Sequence, residues 1–176
     1  KITYRLGNYK EYEKSGLSFF HYKNNEKPAG LINVYFAEYE GNIIGGLLTR
    51  YPSLELKERN FILNKKYVKN YKPLNKDVEI ISRVVVHSKF RGVGLGTLLV
   101  KHYLENQCDR KYVESIAVMA KYSPFFARAG MKRITVQREL PKSYTKLLEH
   151  LTSIGFDISL TSSSKYNLST LNTLNK

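Results

Sequence analysis

Three glycines alternate at positions 92, 94 and 96, and what stands on either side of them constrains the fold more than any other feature of the chain. Upstream, Glu79 to His87 (EIISRVVVH) is so continuously apolar and β-branched that it predicts a central strand buried on both faces. Downstream, Leu95, Leu98, Leu99 and Tyr103 recur at helical spacing and predict an amphipathic helix to about Asn106. A second apolar run, Val113 to Ala120 (VESIAVMA), predicts another buried strand and completes a strand, glycine loop, helix, strand unit. Such a crossover is right-handed in nearly all proteins and sets its two strands side by side and parallel. Glycines at this junction let the backbone approach an anion closely and aim several N–H groups at it, so Arg91 to Gly96 reads as a phosphate cradle. The competing reading is a turn that merely packs a helix tightly on a strand.

Two familiar phosphate motifs fail here. A P-loop needs a Gly-Lys-Ser/Thr ending, and the dinucleotide fingerprint needs glycine where Thr97 stands. What remains is Arg/Gln-x-x-Gly-x-Gly/Ala, matched by Arg91, Gly94 and Gly96.

The remaining elements are read from the same rules. Ile2 to Leu6 predicts a first strand, Asn8 to Lys14 a polar helical stretch, and an aromatic run, Phe19-Phe20-His21-Tyr22-Lys23, follows. Asn33 to Glu40 and Ile43 to Thr49, joined at Gly41-Asn42, predict a β-hairpin. Residues 51–77, bounded by Pro52 and Pro73, form a lysine-rich helical insertion or long loop. Ser123 as N-cap with Pro124 at the first helical position starts a short helix that Gly130 ends at Ala129. Met131 to Arg138 predicts a strand, Ser143 to Ser153 a helix stopped by Gly155, and Phe156 to Thr161 a final strand; beyond Ser162 the chain carries little signal.

With these elements in place, the motif at 91–96 resembles that of the GNAT family of acetyltransferases, where it binds the pyrophosphate of coenzyme A. The flanks are similar too: RVVVHSKFRGVGLGTLL, the hairpin NVYFAEYEGNIIGGLL and the short helix in SPFFARAGMKRI extend the likeness from Val34 to Val136. It implies an α/β acyl-CoA N-acyltransferase fold, a mixed central sheet with a splayed parallel strand pair and flanking helices. It further implies a direct acetyl transfer from acetyl-CoA to a primary amine of a small molecule or protein, without a metal. The cofactor would lie on Val84, Val85, Val86, Arg91, Gly92, Val93, Gly94, Leu95, Gly96, Thr97 and Phe126. A strand N–H near Val85 or Val86 would hold the thioester oxygen.

An attacking amine must lose its proton, and Glu79 is the candidate base, with His87 and His21 as weaker alternatives and a surface carboxylate as the plain reading of Glu79. Many family members place a tyrosine four residues before the helix-ending glycine as general acid. Here that position is Phe126, which cannot donate a proton, and Tyr122 is the nearest hydroxyl. The substitution keeps open a weakly catalytic module that binds coenzyme A or RNA. More loosely, FFHYK, YPSLELKERN and AVMAKYSPFFARAGM resemble a microbial subgroup joined to an ABC-type ATPase, which implies one module of a larger protein.

Composition bounds the rest. A length of 176 residues with 42% hydrophobic and 25% charged residues suits one soluble domain, 1–176, with an extension from about residue 140. No run approaches the roughly 20 apolar residues of a membrane span. The single cysteine, Cys108, can form neither an internal disulfide nor a cysteine-based zinc site, which fits a reducing cytoplasm. The net charge of +14 reads either as attraction for phosphates, nucleic acid or an anionic surface or as a general bias toward lysine, asparagine, tyrosine and isoleucine. Within it, Lys65 to Lys72 (KKYVKNYK) interleaves cations with Tyr67 and Tyr71 and reads either as an RNA contact, including an aminoacyl-tRNA acceptor, or as a solvated face with packed tyrosines.

Overall fold

The computed structural model describes residues 1–21, 26–134, 141–160 and 163–174. The chain divides into two compact units, Lys1–Thr135 and Val136–Lys176, where the sequence suggests one domain with an extension from about residue 140.

The first unit is a five-stranded sheet in sequence order: β1 (Ile2–Gly7), β2 (Leu31–Tyr39), β3 (Asn42–Arg50), β4 (Val78–Val86) and β5 (Tyr112–Glu114). Every pairing is antiparallel except β4 with β5, which is parallel. The sheet is therefore mixed, as the resemblance implies. The hairpin closes at Tyr39↔Asn42, and its central residues are Glu40 and Gly41, both at positive φ (49° and 75°). That backbone matches the strand twist in a two-residue hairpin and places the turn one residue earlier than the Gly41-Asn42 expected.

Helices cover both faces. After β1, Asn8 caps α1 (Tyr9–Lys14): Glu11 N–H donates to Asn8 Oδ1 at 3.1 Å, and Asn8 N–H donates to Glu11 Oε2 at 2.9 Å. This reciprocal box starts a helix only six residues long, whose Tyr12 packs with Leu17, Val34, Phe36, Leu48 and Val85. A Cβ on Gly46 would lie 3.1 Å from Leu17 and 3.4 Å from Tyr12, so glycine there lets this layer seat closely on β3. On the other face, α4 (Leu95–Asn106) buries Leu95, Leu99, Val100 and Tyr103 against Tyr35, Ala37, Ile44, Leu47 and Ile81. The helix begins where the leucine spacing predicts, but Leu98 is 46% exposed and Val100 is buried. The insertion is helical, with α2 (Lys57–Ile62) and α3 (Tyr71–Asp77), and its Tyr67 and Leu74 pack with Val78 beside Tyr112.

Several expected elements differ. The second buried strand, Val113 to Ala120, is a strand only over Tyr112–Glu114, and Val118–Lys121 is a 3-10 turn. The short helix is α5 (Phe125–Arg128), with Pro124 rather than Ser123 in the N-cap position; Gly130, at φ 100°, ends it. Met131 to Ile134 form no strand, and the remainder of that expected strand lies outside the described residues, as do Tyr22 and Lys23 of the aromatic run.

The second unit holds α6 (Lys142–Ser153), stopped at Gly155 as expected, and α7 (Ser164–Leu174), which the sequence reading lacks. The expected strand from Phe156 is instead a 3-10 turn at Ile158–Leu160, with Thr161 outside the described residues. The Asp157 carboxylate accepts from the Ser159 N–H and hydroxyl at 2.9 and 2.7 Å, which curls the backbone away from an extended path. Among the described residues, no helix is long and apolar enough to cross a membrane.

Candidate functional site

The geometry of the site begins with a bulge. Leu48 pairs with Arg83 and Thr49 with Ile81, so Ser82 is an extra residue on β4, and its hydroxyl donates to Leu48 O at 3.0 Å. An extra residue flips side-chain parity. Ile81 lies against the α4 layer before the bulge; Val84 and Val86 lie against it afterwards, while Val85 faces the α1 layer. Backbone direction follows from the same register. His87 N–H donates to Ile44 O at 2.9 Å, toward β3, so the alternation of an antiparallel ladder turns the N–H and C=O of Val86 and Val84 toward β5. The expected donor near Val85 or Val86 is corrected in part: the Val85 N–H turns toward β3, and Val84 and Val86 are the residues whose N–H groups face the open edge.

There β5 is gone. Its pairing with β4 ends at Ile80↔Glu114, and the Ser115 hydroxyl donates to Ile81 O at 3.1 Å, taking the place of the next ladder bond. Beyond Ile81, no described strand pairs with this edge of β4. Two parallel strands that pair for three residues and then part leave an opening lined by the Val84 and Val86 backbone.

The glycine loop stands at the end of that opening. Gly92 and Gly94 both sit at φ 85°, and a Cβ on either would meet nothing within 4 Å, so the space before the loop is clear. Gly94 occupies the N-cap position of α4, without a side-chain cap. The first bond of the helix is Leu98 N–H to Gly94 O at 3.1 Å, which leaves the amides of Leu95, Gly96 and Thr97 ahead of the ladder. The start of this twelve-residue helix therefore carries free amide donors with no side-chain cap, facing open space, the arrangement that receives anions. Leu95 contributes backbone only, since its side chain is buried in the core, and Val93 is 71% exposed at the loop tip. Gly96 faces the sheet and α5, and a Cβ there would make ordinary contacts at 3.8–3.9 Å with Val86, Val84 and Phe125.

Arg91 is a strut for this loop. Its Nε donates to Val86 O and its Nη2 to Phe20 O, both at 3.2 Å, with the guanidinium 5.7 Å from the Phe20 ring. The loop is thereby tied to the end of β4 and to the 3-10 turn Leu17–Phe20. His87 belongs to the same support, accepting from Lys89 N–H at 3.3 Å through Nδ1 and lying edge-on to Phe20 and Phe90.

The expected catalytic residues are not brought together. Glu79 is 2% exposed, and its Oε2 accepts from Arg110 Nε at 3.1 Å. It stands five residues before Val84, roughly 15 Å back along the strand from the opening. The candidate base is thus an enclosed carboxylate, neither at the surface nor at the opening, paired with Arg110 at the far end of β4. Tyr122 is 75% exposed in the turn before α5. Phe126 is on α5, its ring 4.2 Å from that of Phe125, packed against the α4 layer. Of the interleaved tyrosines in the lysine-rich segment, Tyr67 is buried and donates to Asp77 Oδ2 at 2.6 Å, so it presents no stacking face; Tyr71 is exposed. The residues that sequence reasoning missed are Ser82, which re-aims β4, and Glu114 and Ser115, which end β5. A serine inside each apolar run is the only signal they carry.

A search of curated proteins finds no match to the chain. Solved structures that resemble it include a GNAT-family acetyltransferase from Streptococcus pneumoniae, at 12% identity, with 81% of this chain and 99% of that one covered and a TM-score of 0.49. Glucosamine-6-phosphate N-acetyltransferase from Arabidopsis thaliana matches at 18% identity over 81% and 99% of the two chains, with a TM-score of 0.42. Diaminobutyrate acetyltransferase from Paenibacillus lautus, in complex with L-2,4-diaminobutyric acid and coenzyme A, matches at 14% identity over 72% and 73%, with a TM-score of 0.47. The model of the acetyltransferase (GNAT) family matches residues 3–122, more than half of the chain. The glycine loop at the splayed β4–β5 edge lies within those residues, and the chain belongs to the GNAT family of acetyltransferases.

Proposed function

We propose that this chain is an N-acetyltransferase that moves an acetyl group from acetyl-CoA directly to a primary amine. The observation that carries the reading is the juxtaposition of an uncapped helix start and two positive-φ glycines with the open edge of β4. Acetyl-CoA supplies the activated acyl group as a thioester. The amides of Leu95, Gly96 and Thr97 receive its pyrophosphate, and the exposed Lys89 and Arg91 add a favourable field. The outward N–H of Val84 or Val86 donates to the thioester oxygen as charge gathers there.

In the transfer the amine nitrogen bonds to the carbonyl carbon and the carbon–sulfur bond breaks. The nitrogen gives up a proton to solvent and the leaving sulfur takes one. Tyr122 is the hydroxyl we assign to that last step. Its exposure and its place between the 3-10 turn Val118–Lys121 and α5 support the assignment, since Phe126 has no proton to give.

Acetyl-CoA is expected to raise the melting temperature of the wild-type chain, and Gly94→Glu to abolish the shift; a wild type that does not respond overturns the cofactor reading. Turnover against a panel of amines then separates an enzyme from a binding module. Tyr122→Phe is expected to lower kcat about 10²-fold with KM for acetyl-CoA unchanged, and an unchanged kcat removes Tyr122 from the mechanism.

A further inference from the structure

The insertion reaches the last residue of β5 through a buried cation. Arg59, on α2, is 4% exposed and grips Glu114 in a fork: Nε donates to Oε2 at 2.9 Å and Nη2 to Oε1 at 2.7 Å. The same guanidinium donates to Ser53 O at 2.9 Å and to Leu54 O at 3.4 Å, so the segment entering the insertion folds around this cation. Glu114 is the last residue of β5 and the last to pair with β4; Ser115 then binds Ile81 O and the strands part. The fork is therefore fastened where the opening begins.

A buried ion pair is a weak source of net stability, because desolvation of both charges offsets their attraction. A planar two-bond fork does something a point charge cannot: it fixes the orientation of the carboxylate it holds. We propose that Arg59 is a positioning residue for the acyl-donor cleft. By orienting Glu114 it sets the direction in which Ser115 to Ala117 leave β4, and with it the width of the opening beside Val84 and Val86. The insertion is then a brace for the cofactor site. This inference rests on reading that opening as the coenzyme A site.

Two variants test it. Arg59→Lys keeps the charge and loses the fork. The double variant Arg59→Met with Glu114→Met removes both charges and leaves no buried ion unpaired, which guards against a single variant that fails to fold. Coenzyme A affinity is measured by calorimetry, steady-state constants with acetyl-CoA and an amine, and backbone hydrogen exchange by mass spectrometry. Both variants are expected to bind coenzyme A about tenfold more weakly, a misplacement effect at the cleft wall, with KM for the amine unchanged. Exchange is expected to quicken at Ser115 to Ala117 and to stay at wild-type levels in α4. If the wild type binds coenzyme A and both variants match it in affinity and exchange, whatever their melting temperatures, Arg59 is merely structural and the proposal falls alone. If the wild type does not bind coenzyme A, the cofactor reading falls and takes the proposal with it.

Discussion

Gly94 and Gly96 stand two residues apart in one motif and answer to different physics. Gly94 is at φ 85° with open space around it, so a side chain there strains the backbone without clashing. Gly96 is inside α4, and a Cβ would make ordinary contacts with Val84, Val86 and Phe125 at 3.8–3.9 Å. Gly94→Ala is therefore expected to lower the unfolding free energy by about 1–2 kcal/mol, the cost of a left-handed non-glycine residue, and Gly96→Ala to raise it by about 0.5–1 kcal/mol through helix propensity. Urea unfolding of the two variants checks the opposite signs. Glu79 offers a second test at this scale. Because it is buried beside Arg110 rather than at the opening, Glu79→Gln is expected to destabilise by about 1–3 kcal/mol as a charged hydrogen bond is weakened, with kcat of the folded enzyme unchanged; a large fall in kcat at constant stability would restore it as the base.

At the scale of elements, what was legible in the sequence was what local chemistry decides. α1, the hairpin and the strand-to-helix turn at Gly94 each carry their signal within a few residues, and each forms, the hairpin with its turn one residue earlier than its signal. The second strand of the parallel pair was misread, because apolar residues continue past the point where the ladder ends. Ile116 and Val118 satisfy a strand pattern but are exposed, and what stops the strand is the Ser115 hydroxyl reaching Ile81 O across a parallel neighbour. Such a partner is invisible to periodicity. The same limit hid Glu114, whose partner Arg59 lies 55 residues earlier, and the bulge at Ser82. For the site, the glycine loop was legible and the proton-handling groups were not, since enclosure and distance depend on tertiary packing. Ser115→Ala is expected to cost about 1 kcal/mol in urea unfolding, the net value of one hydrogen bond. Faster amide exchange confined to residues 115–117 would locate that loss at the splay, whereas exchange raised evenly across β4 and β5 would mean that the hydroxyl does not define it.

Across the whole sheet unit, the two helical layers and the insertion enclose four tyrosines among the described residues: Tyr12, Tyr35, Tyr67 and Tyr103. Burial raises the phenol pKa of each, Tyr35 to about 12. A tyrosine whose folded pKa exceeds its unfolded value of about 10 holds its proton more tightly in the native state. Its contribution to stability is fully present below about pH 10 and is lost as pH climbs through the folded value, at up to about 1.4 kcal/mol per pH unit for each such group. The tyrosine contribution is accordingly expected to be flat from neutrality to about pH 9.5 and to fall steeply between about pH 10 and 12. Tyrosinate absorbance should accordingly rise in two stages. The second stage should coincide with loss of the helical circular dichroism signal, because the enclosed phenols ionise far more readily once the layers separate. Complete tyrosine ionisation with the dichroism intact would mean that the core admits hydroxide, and would overturn the assignment of these four rings to a sealed interior.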